Sequence, residues 1–137
     1  MHWLFAVALA LDLGSVKSEP NLEKRAELAI EHAHGALTAA REAYNAGDDE
    51  KSEAALAEVG QSVELAWDSL VETGKDPRKS SRYKKAELRI RELLRRLEGM
   101  KSLVGFAHRE QVERVEEQVS GIHDDLIRGI MSKRKKK

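Results

Sequence analysis

The sequence predicts an all-α protein, an antiparallel up-down-up-down four-helix bundle. Apolar residues recur three and four apart in four successive segments. Gly, Pro, Asn and Ser punctuate the joins. Of 137 residues, 35% are charged and 4% aromatic, the composition of long helices. The length suffices for one domain with a real core.

The first stripe is Ala26, Ile30, Ala33, Leu37, Ala40 and Tyr44. The second is Leu56, Val59, Val63, Ala66 and Leu70, with Trp67 beside it. The third is Tyr83, Ala86, Ile90, Leu93, Leu97, Met100 and Val104, and the fourth Val112, Val115, Val119, Ile122 and Leu126. This spacing lines one face of a helix, whereas a strand alternates by two. Asn21 can cap the first helix. Gly47 ends it in the left-handed conformation, and Asp48 or Asp49 caps the second. Gly74 and Pro77 stop the second, and Ser80 or Ser81 caps the third. A further break is expected between Met100 and Gly105, with Phe106 anchoring the turn. The helices come out at about 21 to 26 residues, or about 32 to 39 Å. Equal helices with short joins favour consecutive antiparallel neighbours.

The predicted boundaries are a leader at 1–18, a bundle at 19–132 and a disordered basic tail at 133–137. Trp3 to Leu11 is an unbroken apolar run, too short to span a membrane as a helix. Small residues lead to an acceptable cut at Ser18/Glu19, as in a secretory signal peptide. No Lys or Arg precedes the run, and Asp12 sits near its end, both departures from that pattern. Read as a leader, the segment makes the protein periplasmic or secreted. Read otherwise, it is an apolar helix docked on a cytoplasmic domain. There is no cysteine, which excludes disulfides, thiolate metal sites and a thiol nucleophile.

Charge is segregated along the chain. Residues 19–74 carry four basic and thirteen acidic side chains, and residues 75–101 carry eleven and four. The cations of the third helix flank its stripe, Lys85, Arg89 and Arg96 on one side, Arg91 and Arg95 on the other. That placement suits ion pairs with acidic neighbours. Burying one Leu contributes ~1.5–3 kcal/mol and an exposed ion pair ~0–1, so the stripes stabilise and the charges select neighbours. The competing use is a polyanion contact through Lys75, Arg78, Lys79, Arg82, Lys84 and Lys85, together with the tail. Phosphates or anionic headgroups would be held there by counterion release. Nucleic acid is the less favoured partner, because stacking aromatics are absent apart from Tyr83, which lies on the core stripe.

Glu27, Glu31 and His34 make one E-x-x-H constellation. A di-iron bundle needs two, so a structural role for His34 is preferred to a metal site. His108 and His123 lie on or beside the core face and are expected to be partly buried with a hydrogen-bonded partner. No nucleophile elbow, phosphate-cradling loop or EF-hand spacing occurs; the GDDE at 47–50 reads as a helix cap. Leu28, Leu65 and Leu88 fall opposite their stripes. Together they suggest a self-association face or a docking site for residues 1–18.

NAGDDEKSEAAL has the flavour of a tetratricopeptide turn, but no 34-residue period follows. EAYNAGDDEKSEAALAEVGQSVELAWDSL, TGKDPRKSSRYKKAELRIRELLRRLE and EEQVSGIHDDLIRGIM cover much of residues 21–131. These stretches resemble an uncharacterised family of small exported all-helical proteins from acidobacteria-like bacteria. The resemblance implies an exported helical protein and supplies no activity, cofactor or site residue. The expected function is therefore non-catalytic: an interaction, scaffold or chaperone-like protein of the cell envelope without a cofactor.

Overall fold

The computed structural model describes residues 13–132, which form five helices and no strand. They are α1 (Leu13–Lys17), α2 (Leu22–Asn45), α3 (Asp49–Glu72), α4 (Ser81–Leu103) and α5 (Phe106–Met131). The four predicted helices are α2 to α5. The apolar run Trp3–Leu11 and the 133–137 tail lie outside the described residues. No described helix is long and apolar enough to cross a membrane.

Local chemistry sets the ends. Asn21 Oδ1 accepts from the Lys24 amide at 3.0 Å, and Asp48 Oδ1 accepts from the Lys51 amide at 3.1 Å. Ser80 Oγ accepts from the Arg82 and Tyr83 amides. Each satisfies an amide that the first turn leaves unpaired. Gly47 and Gly74 sit at φ 80° and 71°, a region costly for residues with a Cβ. The α4/α5 join departs from expectation. Phe106 does not anchor it, being 85% exposed. The Tyr44 hydroxyl does so instead, accepting from the Gly105 amide at 2.9 Å.

The stripes face inward. Leu37, Leu56, Val63, Ile90, Leu93, Leu97, Val112 and Leu126 are completely buried in one core. A second set of small residues is buried as well: Ala29, Ala36 and Ala43 on α2, and Ser52, Ser62 and Ser69 on α3. They let α2 and α3 lie close along much of their length. Ser52 Oγ donates across that contact to the Ala40 carbonyl at 2.9 Å.

Cross-helix bonds give the pairings. Ser52 with Ala40 and Arg25 with Glu72 make α2 and α3 antiparallel. Lys101 with Glu116 and Glu87 with His123 do the same for α4 and α5. Lys85 with Glu27 and Arg89 with Glu31 set α4 alongside α2 in the same direction. Gln111 with Glu53 and Gln118 with Glu64 set α5 alongside α3, also in the same direction. The consecutive helices α3 and α4 scarcely meet. This differs from the sequence expectation that each helix neighbours the next. The physical reason lies in the join: Thr73–Ser80 is long enough to carry the chain across, and the cations of α4 find their carboxylates on α2.

Within the expected leader, residues 13–18 are described and packed on the bundle helices. Val16 is only 8% exposed and belongs to the core, and α1 rests on α2 and α3.

Candidate functional site

The six loop and helix-four cations do not form an open basic patch. Lys75 Nζ donates to Glu23 at 2.6 Å, and Lys85 Nζ donates to Glu27 at 3.0 Å. Arg82 lies 3.8 Å from both Glu23 and Glu27. Arg78 binds Asp76 through Nε, Nη2 and its amide. Those hydrogen bonds hold the Asp76 carboxyl down at about 2. Only Lys79 and Lys84 of the six have no ion pair among the described residues. The other flank of α4 differs from expectation: Arg91 turns to Glu87 of its own helix, and Arg95 makes no ion pair among the described residues.

The E-x-x-H constellation is committed elsewhere. Glu27 serves Lys85, and Glu31 accepts from Arg89 Nη2 at 2.7 Å. His34 is buried, with Nε2 3.0 Å from the Arg89 carbonyl and Nδ1 3.0 Å from Arg96 Nη1. The arginine can only donate, so Nδ1 accepts and Nε2 carries the proton. Burial lowers the His34 pKa, and the charges of Arg89 and Arg96 lower it further. The ring is a neutral bridge between α2 and α4. No grouping of three or more metal-ligating side chains occurs among the described residues.

The other histidines face carboxylates across helix contacts. His32 on α2 meets Glu58 on α3. His123 Nε2 lies 2.8 Å from Glu87, which also accepts two bonds from Arg91. Glu87 is 6% exposed. Burial pushes its pKa up, but the bonds from Arg91 and His123 outweigh that and leave it lowered. His108 packs edge-on against Tyr44, ring centroids 5.0 Å apart. Its Nε2 is buried without a hydrogen bond, although Asp49 Oδ1 stands 3.2 Å away. The distance is short but the alignment poor, so we read it as a contact rather than a bond.

The outward leucines lie on three different helices and differ in burial. Leu65 is half-buried against the core and Leu88 is 57% exposed on α4. Leu28 borders a groove lined by α2 and α3. Ser15 and Val16 of α1 contribute to its lining. Leu28, Gly35, Ala36 and Ala39 of α2 and Ala54 and Ala55 of α3 supply its apolar lining. Its volume is about 580 Å³. Close packing of the two helices brings their backbones near the surface, and short side chains leave a shallow trough. Of the charged lining residues, Glu31 is paired with Arg89 and Glu58 with His32, while Lys51 has no ion pair among the described residues. Sequence reasoning singled out Leu28 and missed the trough. The available signal was the cluster of small residues Gly35, Ala36 and Ala39 on α2 with Ala54 and Ala55 on α3.

These helices define an all-α protein with an apolar trough as its candidate binding site. No protein-family model, curated protein or solved structure matches the chain.

Proposed function

We propose that this protein is a four-helix bundle that works by binding, without catalysis, and receives an apolar helical segment in the trough between α2 and α3. The observation that supports this is the trough itself. It is open and uncharged at its floor, and its small side chains allow close approach of another backbone. The apolar floor, with Glu31 and Glu58 already paired, favours an occupant whose contacting face is apolar. An interaction, scaffold or chaperone-like role in the cell envelope fits such a surface. Export is proposed on the apolar run Trp3–Leu11 and the resemblance to exported helical proteins. The paired state of Lys75, Arg78, Arg82 and Lys85 weighs against polyanion binding as the main role, because a phosphate would compete with carboxylates already in place.

The test is photo-crosslinking in the native cell. A benzophenone side chain at Ala39 or Ala54 should give adducts with another polypeptide, and the same group at Lys84 should not. Adducts at Lys84 with none at the trough positions would remove the reading.

A further inference from the structure

We infer that the α2/α4 contact is an acid-sensitive seam: in weak acid it parts and bares the apolar faces of both helices, while the other three helix contacts hold. The inference goes beyond the trough and does not depend on it.

The placement of the histidines carries it. Four lie among the described residues, each at a different helix contact. His32 faces Glu58 across α2/α3, His108 faces Asp49 across α3/α5, and His123 faces Glu87 across α4/α5. Glu31 and Lys51 line the same trough as His32, the Tyr44 ring of α2 flanks His108, and Arg91 of α4 shares Glu87 with His123. A proton on any of these three rings sets a cation beside a carboxylate, which draws the helices together. His34, at the α2/α4 contact, faces an arginine instead. Its Nε2 donates to the Arg89 carbonyl, and its Nδ1 accepts from Arg96 Nη1.

Arg96 has no easy way to make room. Its Nη1 also donates to the His34 carbonyl at 3.0 Å, and its Nη2 donates to Thr38 Oγ1 at 2.8 Å. A proton on Nδ1 would turn one N–H against another and one cation against another. Withdrawal of Arg96 relieves this, and all its bonds to α2 go with it. The other charged groups bearing on the ring are Arg89, which adds to the repulsion, and Glu31, which is committed to Arg89. Burial, then the two arginines, hold the His34 pKa below its ordinary 6.5. The closed seam therefore refuses a proton that the parted seam accepts, and closure weakens as pH falls from 6.5 toward the folded value. Glu23 and Glu27, paired with Lys75 and Lys85, are held below their ordinary 4.5 and stay charged over that range. The seam is also incompletely filled. A pocket of about 280 Å³ lies along it, with Ala26 and Ile30 of α2 and Ala86 of α4 in its lining.

The chain has no cysteine, so a single introduced thiol reports opening without background. Leu93→Cys puts one at a completely buried position of α4, and Ser52→Cys puts one at an equally buried position in the α2/α3 contact. The rate of reaction with dithiodipyridine, divided by that of a matching short peptide at the same pH, measures protection. From about pH 7.5 to about 5.5, protection at Leu93→Cys should fall severalfold, up to about tenfold, and protection at Ser52→Cys should not fall. Adding His34→Gln should abolish the response, since the amide accepts from Arg96 and donates to Arg89 without taking a proton. Arg96→Gln should abolish it as well with the histidine in place, because its amide oxygen accepts from a protonated ring. Circular dichroism verifies that each variant is folded. A change at Leu93→Cys of less than about twofold, or a fall that persists in the folded His34→Gln or Arg96→Gln protein, overturns the inference. Protection that falls in step at Ser52→Cys also overturns it, since the whole fold would then be loosening. Cross-links at the trough test the partner reading separately, because the trough lies in a contact that stays closed.

Discussion

Replacing Glu87 by Gln removes one buried charge while keeping the shape of the α4/α5 contact. The carboxylate accepts from Arg91 Nε at 2.8 Å, Arg91 Nη2 at 2.7 Å and His123 Nε2 at 2.8 Å. A carboxamide offers one acceptor oxygen and turns an NH₂ toward a donor. Hydrogen bonds to charged groups contribute ~1.5–3 kcal/mol each. Arg91 is half-exposed and recovers water, while His123 is mostly buried, so the net loss should be about 2 kcal/mol at neutral pH. For a helical region of this size that is a fall in Tm of about 6–10 °C, followed at 222 nm. The pH dependence gives a second check. The Glu87 pKa is lowered on folding from 4.5, so its contribution is full above that value and fades as pH falls through the folded value. The gap between wild type and variant should therefore be widest near neutrality and shrink below about pH 4. A gap under ~0.5 kcal/mol at neutrality, or one that does not narrow in acid, refutes the reasoning.

Ser69 Oγ is buried without a hydrogen bond, so Ser69→Ala should stabilise by ~1 kcal/mol in urea unfolding; destabilisation would mean the hydroxyl has a partner. Gly60→Ala places a methyl against the Gln118 amide, whose flexible end can swing away at the expense of its bond to Glu64. Helix propensity returns ~0.5–1 kcal/mol, so the variant should unfold near the wild-type midpoint, whereas a loss above ~2 kcal/mol would show that Gln118 cannot move. His34 is neutral when folded and its pKa is lowered by burial, so the unfolded chain binds its proton first. The stability of wild type relative to His34→Gln should thus decline as pH falls from about 7.5 through the ordinary histidine range near 6.5, and a constant difference would contradict a neutral buried ring.

Much of the fold was legible because burial on a helix is periodic. Every stripe residue from Ala26 to Ala40, and every one from Leu56 to Leu70, is buried. The caps at Asn21, Asp48 and Ser80 were legible for a similarly local reason, each needing only a polar side chain at a helix start. Lateral order was not. A stripe says which face turns inward but not which helix stands next to it, and charge narrowed that only on one flank of α4. Lys85 and Arg89 did find α2, whereas Arg91 found Glu87 of its own helix. The trough escaped because alanine and glycine carry little hydropathic weight. Ala29, Ala36 and Ala43 repeat at sevens without standing out from an Ala-rich segment. Phe106 was assigned by hydrophobicity to the turn that the hydroxyl of Tyr44 holds, a contact 61 residues away in sequence.

The crossover at Thr73–Ser80 has a consequence for assembly. Because α3 and α4 scarcely meet, the chain amounts to two self-contained hairpins tied by a single tether, each able to zip up from its own short turn. Nicking the tether beside Pro77 would leave two halves of opposite charge, one acidic and one basic. Mixed in dilute buffer they should reunite in the native orientation, and the rate of reunion should drop as salt is added.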